Sequence, residues 1–438
     1  MIERVVFFQP RTFAARNYLN SSGDEQVWTP WFALMLAPGA QESGLRVELL
    51  DARVSDDWRE RVRGLGKTDL LAVSVMTGHA ITDALAATHE AIDAGARVVW
   101  GGPHVTLFPS ETLREAPINA VIPGFGAAAF GGLAAAAARG PWPYEQPKTI
   151  QSGVFLPLHN RQARSTTTIS ALDLIEDWAP YVNSDVAIAE RTVNLITSEG
   201  CARACTYCSE PQTSSRQWIT HEVESSIEIA KAIRDRAGAD GFKLHDPNFF
   251  HDLDRASLFA RRFAEELGLP WAATLHPADL SAMPDSKLAE LADLGLARVL
   301  VGLESPDTKI VRLAGKRYDP AHIPELVERL ATAGIRGMFT FIVGWPGADP
   351  GHYERTYECA RAVRGTWSEH QAKVHFLEPW PGTPIFTLIQ REGFVAPRTL
   401  NEWAKIDYYQ ARYASIHDPG QVDRVREVNR ELSPYVDA

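Results

Sequence analysis

No stretch of about 18 consecutive apolar residues occurs in the chain, which excludes an ordinary membrane-spanning helix. The N-terminus, MIERVVFFQP, sets an acid beside its base and has no small-residue cleavage segment, so no secretory leader is expected and the protein is expected in the cytoplasm. Basic charge is not in excess: 44 Lys and Arg against 55 Asp and Glu give a formal net charge of -11. That balance offers no general attraction for nucleic acid or an anionic membrane, so neither is expected as a partner, although a local basic groove is compatible with it. Low-complexity tracts are absent too, and 45% hydrophobic residues, 23% charged residues, 31 Gly and 28 Pro describe a folded soluble protein. Cysteine is scarce. Four in 438 residues cannot form a disulfide framework, yet Cys201, Cys205 and Cys208 crowd into eight residues while Cys359 stands alone.

At 438 residues there is room for two or three domains. From Arg4 to about residue 135, strand-sized apolar runs (RVVFFQP, LRVELLDARV, LLAVSVMTG, ARVVWGG, INAVIPG) alternate with stretches long enough for crossover helices. This predicts an α/β domain with a doubly wound Rossmann-like parallel sheet over residues 1–140, whose ligands bind at the carboxyl ends of the strands. Residues 141–189, richer in Pro, Gln, Ser and Thr, read as a connector. A second series follows over 190–390: RTVNLITS, GFKLHD, LPWAATLH, ARVLVGLES, GMFTFIVGWPG and AKVHFLEPW, with helices expected at 219–236, 254–267, 284–294, 320–333 and 349–365. Six such units predict a partial (β/α)6 barrel with its site at the C-terminal strand ends. Residues 391–438 read as a polar helical cap.

The three clustered cysteines form C-x3-C-x2-C in GCARACTYCSEP, directly after a predicted strand. Three thiolates in one loop can hold three irons of a [4Fe–4S] cube and leave the fourth open to another ligand. A structural zinc site would need a fourth ligand, which this loop does not supply.

The spacing, with Tyr207 just before the last cysteine and a six-stranded β/α series around it, resembles the radical S-adenosylmethionine (SAM) superfamily. The resemblance implies a cluster on Cys201, Cys205 and Cys208 whose open iron chelates the amino and carboxylate groups of SAM, and whose electron cleaves the sulfonium to a 5′-deoxyadenosyl radical. It implies SAM contacts from Tyr207, from Asp246 and Asn248 in KLHDPNFF, from Glu304 and Ser305 in GLESP, and from Lys316. GWPG at 344–347 and PWPGTP at 379–384 resemble the turns of the family's fifth and sixth strands. The plainer alternatives are a packing role for Tyr207 and helix capping by Asp246 or Glu304.

A doubly wound sheet ahead of such a barrel, with SVMTGHAITDAL and ARVVWGGPHVTLFP, resembles the cobalamin-binding branch of the superfamily. The resemblance implies cobalamin contacts at Met76, Thr77, Gly78, Gly101, Gly102, His104, Gly124 and Gly126, glycines at strand ends allowing close approach to backbone. The D-x-H-x-x-G motif that supplies a lower axial histidine is absent, and GFGAAAF stands where members carry an acidic residue; the alternative is a sheet that only supports the barrel. His79 and His104 adjoin helix starts, where a histidine packs or hydrogen-bonds more often than it binds cobalt. Cys359 reads as an inert buried thiol and DDWRERVR as a solvated helix face.

The resemblance implies a cobalamin-dependent radical SAM methyltransferase. On that expectation the methyl passes from methylcobalamin to a substrate radical at an unactivated or weakly activated centre of a small molecule, with a flavodoxin- or ferredoxin-like protein expected to supply electrons. The rivals are ring formation or oxidative rearrangement with cobalamin as electron partner, polar methyl transfer, and a non-enzymatic iron–sulfur or zinc protein.

Overall fold

A computed structural model describes residues 1–12, 27–144, 146–150, 162–163, 167–406 and 419–432. The N-terminal sheet is wholly parallel: β1 (Arg4–Gln9), β2 (Arg46–Asp51), β3 (Asp69–Ser74), β4 (Arg97–Gly101), β5 (Ala120–Ile122) and a short β6 (Lys148–Thr149), in the order β2-β1-β3-β4-β5-β6. Strand periodicity explains why both faces are covered. Along β1, Val6 and Phe8 enter one core while Val5 and Phe7 enter another. The first core includes helix Ala80–Asp93, and the second includes Trp31–Glu42 and Ala127–Arg139. The strand order reverses between β1 and β3, the crevice where such sheets take ligands. There Arg11, just past β1, makes a two-pronged bond to the buried Asp83 on the helix after β3, at 2.7 and 2.8 Å.

Two residues, β7 (Gln162–Ala163), pair with β11 (Trp218–His221), which also runs antiparallel to β10 (Ser198–Gly200). The helix expected from residue 219 therefore begins at Val223, because Trp218–His221 is taken up as a strand against the segment leading into the cysteine loop.

The second large sheet has the order β16-β15-β14-β13-β12-β9-β8. Its six parallel strands are β9 (Ala189–Leu195), β12 (Gly241–Leu244), β13 (Trp271–Thr274), β14 (Leu296–Glu304), β15 (Arg336–Val343) and β16 (Gln371–Phe376). A short antiparallel strand, β8 (Asn183–Asp185), borders β9. One parity of side chains, including Val193, Phe242, Val299, Phe339 and Val374, packs outward into the large core beneath the helices. At the free edge of β16, Asn429 of helix Pro419–Leu432 accepts from the Val374 N–H and donates to its carbonyl, both at 2.8 Å, standing in for a further strand. Among the described residues no helix is long and apolar enough to cross a membrane.

Candidate active site

The C-terminal strand ends of the two sheets meet. Helix Pro103–Leu107, after β4, packs against Glu210–Thr213, which follows the cysteine loop. From the turn after β5, Phe125 lies so close that a Cβ on Gly200 would stand 3.0 Å from its ring, and a Cβ on Gly382 would stand 3.1 Å from Leu107.

Cys201, Cys205 and Cys208 are free thiols on the loop that follows β10, the first two buried. The loop is held from outside: Thr206 N donates to the Ala314 carbonyl at 3.0 Å, its Oγ1 to the Leu313 carbonyl at 2.6 Å, and Ile385 N to the Thr206 carbonyl at 3.0 Å. Burial raises the pKa of Cys201 and Cys205 and pushes Cys208 up to about 12, so the thiolates need a positive partner. Among the described residues no three His, Cys, Asp or Glu side chains converge tightly enough to hold a single ion. Three thiolates on one loop, each binding a different iron, have no need to converge in that way. The donor set fits the cluster.

Around the loop lies a ring of strand-end polar groups. Glu304 ends β14 with a left-handed backbone, φ +66°, beside a register shift between Gly302 and Glu304. Its Oε1 accepts from the Tyr207 hydroxyl at 2.6 Å and lies 2.9 Å from Lys316 Nζ, which also donates to the Gly302 carbonyl at 2.8 Å. A strained non-glycine residue kept in place by a buried ion pair is typical of a functional position. Ser305 is fully buried, and its hydroxyl accepts from Asp307 N at 3.1 Å, which shapes the turn.

Asp246, expected at SAM, is bonded within the chain itself. One carboxylate oxygen accepts from Thr197 N at 2.8 Å, and the other from the hydroxyls of Thr197 and Ser198, both at 2.6 Å. Its carboxylate is thus turned toward the chain entering the cysteine loop and positions that segment. Arg255, buried over the Phe249 ring, supports the same node through the carbonyls of Thr197 and His221.

Asn248 donates to Asp279 at 3.0 Å, and Asp279 also pairs with Arg203 of the cysteine loop. In this corner Asn248 Oδ1, Arg203 Nε and His276 Nε2 are buried without partners. His276 Nδ1 accepts from Ala278 N at 3.2 Å, which leaves Nε2 carrying the proton. Burial, reinforced by Lys316 and Arg203, lowers its pKa to about 2, so the ring is neutral. Two donors and an acceptor left unsatisfied beside the cluster loop fit a polar ligand such as the amino-acid end of SAM. His276, Arg203 and Asp279 were not among the residues expected from sequence. Their signal there is only position, His276 closing a predicted strand and Arg203 lying inside the cysteine motif.

At the sheet-domain strand ends, Met76 is half-buried and Thr77 is buried; the Thr77 hydroxyl bonds His104 Nδ1 at 3.0 Å. His104 is fully buried beside Phe108 and Trp403, burial lowers its pKa to about 4, and its Nε2 has no partner. A neutral, unsatisfied imidazole at the strand ends fits a bound cofactor there. His79 lies at the start of the helix after β3, 3.9 Å from Asp83.

The glycines expected at the cofactor have a packing role of their own. A Cβ on Gly102 (φ +94°) would stand 2.7 Å from Val75 N, one on Gly78 (φ +110°) 2.7 Å from the Ile406 carbonyl, and one on Gly101 3.2 Å from the Ile122 carbonyl. On Gly126 it would touch Ile122 and Leu36. These glycines let the protein's own backbones and turns close against one another. Gly124, also left-handed, donates its N–H to Thr106 at 2.8 Å.

A cluster-binding half barrel whose strand ends face those of a doubly wound sheet defines a two-domain, multi-cofactor class of enzyme. Comparison with known families identifies the radical SAM superfamily over residues 195–360 and the B12 binding domain over residues 24–134. The chain thus pairs a radical SAM domain with a B12 binding domain, the combination of cobalamin-dependent radical SAM enzymes, and its cofactors are a [4Fe–4S] cluster, SAM and cobalamin. Among curated proteins it is 25% identical over 350 residues to an uncharacterized methyltransferase of Pyrococcus horikoshii, covering 77% of this chain and 73% of that one. It is 26% identical over 221 residues to cytidylyl-2-hydroxyethylphosphonate methyltransferase of Streptomyces wedmorensis, covering 49% of this chain and 40% of that protein. Among solved structures it resembles the radical SAM methyltransferase TsrM of Kitasatospora setae with cobalamin and [4Fe-4S] cluster bound (TM-score 0.68, 17% identity, 91% of this chain and 76% of that one). It also resembles the cobalamin-dependent enzyme OxsB with aqua-cobalamin and SAM bound (TM-score 0.61, 11% identity, 90% and 55%). At these identities the two structures speak to the fold.

Proposed function

We propose that the protein methylates a small molecule at an unactivated or weakly activated carbon or phosphorus centre, with SAM as the source of both the methyl group and the radical initiator. The observation that carries this reading is the apposition of the two sets of strand ends, with Phe125 against Gly200 and Leu107 against Gly382 at the mouth of the cluster loop. When bound, the cluster supplies the electron for SAM cleavage and cobalamin the carrier for the methyl group, the electron coming from an external one-electron donor. The chain's own residues do the rest. Thr206 fixes the loop, Asp246 fixes the segment entering it, and the Tyr207–Glu304–Lys316 group shapes one wall. Asn248 and His276, past the ends of β12 and β13, and Arg203 of the cysteine loop present unsatisfied polar atoms beside that wall. Enclosure between two domains keeps water from reactive species.

The test is anaerobic purification with cobalamin supplied, followed by iron, sulfide and cobalt counts and SAM turnover under a low-potential reductant. We expect about four irons per chain, stoichiometric cobalt, and both S-adenosylhomocysteine and 5′-deoxyadenosine. Replacing Cys201, Cys205 and Cys208 by Ala should abolish the brown colour and the deoxyadenosine. Deoxyadenosine without S-adenosylhomocysteine would overturn methylation in favour of ring formation or rearrangement. The reverse pattern would favour polar transfer, and no SAM consumption would end the enzymatic reading.

A further inference from the structure

The inner face of the barrel holds a basic set that the cofactor chemistry does not use. Because outward side chains on the six strands fill the main core, the alternate positions point inward. Reading the register across β9, β12, β13 and β14, Asn194, Lys243, Ala272 and Arg298 lie level with one another. His245 stands one inward position higher, just past β12, while Lys373 and His375 face in from β16. Among the described residues, the carboxylates of Asp185 and Glu304 at this face are already engaged: Asp185 accepts both prongs of Arg298 at 2.8 Å, and Glu304 holds Tyr207 and Lys316.

Lys243 makes no ion pair among the described residues; its ammonium lies over the Trp28 ring at 4.6 Å. His245 packs edge-on against the same ring, with centroids 4.5 Å apart. Its tautomer follows from its neighbours. Asn194 Oδ1 accepts from Thr29 N at 3.0 Å, so Nδ2 is the atom that donates to His245 Nδ1 at 3.2 Å, and the His245 proton sits on Nε2. One ammonium and one N–H donor therefore stand side by side against an aromatic wall.

We infer that the substrate carries an oxyanion, carboxylate or phosphoryl in type, which Lys243 and His245 seat inside the barrel beneath the cofactor end. The inference rests on the proposed small-molecule chemistry and adds the substrate's chemical class. Burial, with Arg298 nearby, lowers the Lys243 pKa to about 8 and that of His245 well below its usual value, as expected of basic groups whose counter-charge arrives with a ligand. His245 directly precedes Asp246, which holds the segment entering the cysteine loop, so this pair stands just below the rim of the barrel.

The experiment uses the cluster-, cobalamin- and SAM-loaded protein and two amine-directed probes of equal carbon number, glyoxylate (anionic) and acetaldehyde (neutral), each with cyanoborohydride. Peptide mass spectrometry reads modification at each of the chain's nine lysines. Normalised to the exposed Lys67 and Lys405, Lys243 should react about 10-fold faster with glyoxylate than with acetaldehyde, the enrichment expected of a cationic cleft. Protection by acetate assigns a carboxylate, and protection by inorganic phosphate a phosphoryl group. His245→Leu should lose that protection while keeping iron and cobalt contents. A glyoxylate-to-acetaldehyde ratio near unity, or no protection by either anion, overturns the inference. The readout does not depend on turnover, so failure of SAM cleavage would count against the proposed function and leave the oxyanion site standing.

Discussion

Glu304 combines two costs that only a fixed partner set can offset. Its left-handed backbone is unfavourable by roughly 1–3 kcal/mol for a residue with a side chain, and its carboxylate is buried against Lys316. Removing one partner of a buried pair strands the other charge, an effect of about 3–5 kcal/mol. Glu304→Ala should therefore lower the unfolding free energy of the loaded protein, read from denaturant titration, by about 3–5 kcal/mol and weaken SAM binding measured by equilibrium dialysis. Glu304→Gln keeps an acceptor for Tyr207 and should fall between Ala and the native chain. Equal stability of all three would show that Lys316 finds another partner and that the pair does not organise the wall.

Among the elements, the alternating sheets were readable because strand length and apolar runs are dictated by burial on two faces, as Val5 to Phe8 illustrate. The six barrel strands were readable for the same reason. Less legible was Trp218–His221, whose apolar and polar residues suit either a helix start or a strand, and only its antiparallel partner Ser198–Gly200 decides. The connector hid β8, three residues held by the Asp185–Arg298 pair, which no local pattern announces. In the site, the cysteine spacing, Glu304 and Lys316 carried local signals, whereas His276 and Asp279 become meaningful only once strand ends converge. The same convergence fixes the cysteine loop through Gly315: its φ is +73°, and a Cβ would stand 2.7 Å from the Ala204 carbonyl. Gly315→Ala should cost roughly 1–2 kcal/mol for the left-handed backbone and push directly on the loop. Iron release to a chelator, followed by loss of visible absorbance, should be several-fold faster, while cobalt content stays unchanged. Unaltered release would mean that Thr206 alone secures the loop.

At the scale of the whole molecule, function requires two separately folded sheets to hold their strand ends together. Among the described residues, side-chain packing crosses that mouth, with Phe125 over Gly200 and Leu107 over Gly382. Farther back, the Tyr181 hydroxyl donates to Asp51 at 2.9 Å and joins the barrel's leading segment to β2. Phe125 is half-buried, so Phe125→Ala removes part of a contact worth about 1–2 kcal/mol. That is small beside the stability of either domain but large for their closure. The variant should bind iron and cobalt as the native chain does, because no cofactor donor is changed, and yet be cut faster by a dilute protease. Its yield of S-adenosylhomocysteine relative to deoxyadenosine should shift as well, since SAM must be presented to both cofactors from one mouth. If proteolysis and product ratio both match the native protein, other contacts between the two sheets, such as Tyr181 to Asp51 and Leu400 N to Glu115, hold the mouth and the apposition at Phe125 carries no functional weight.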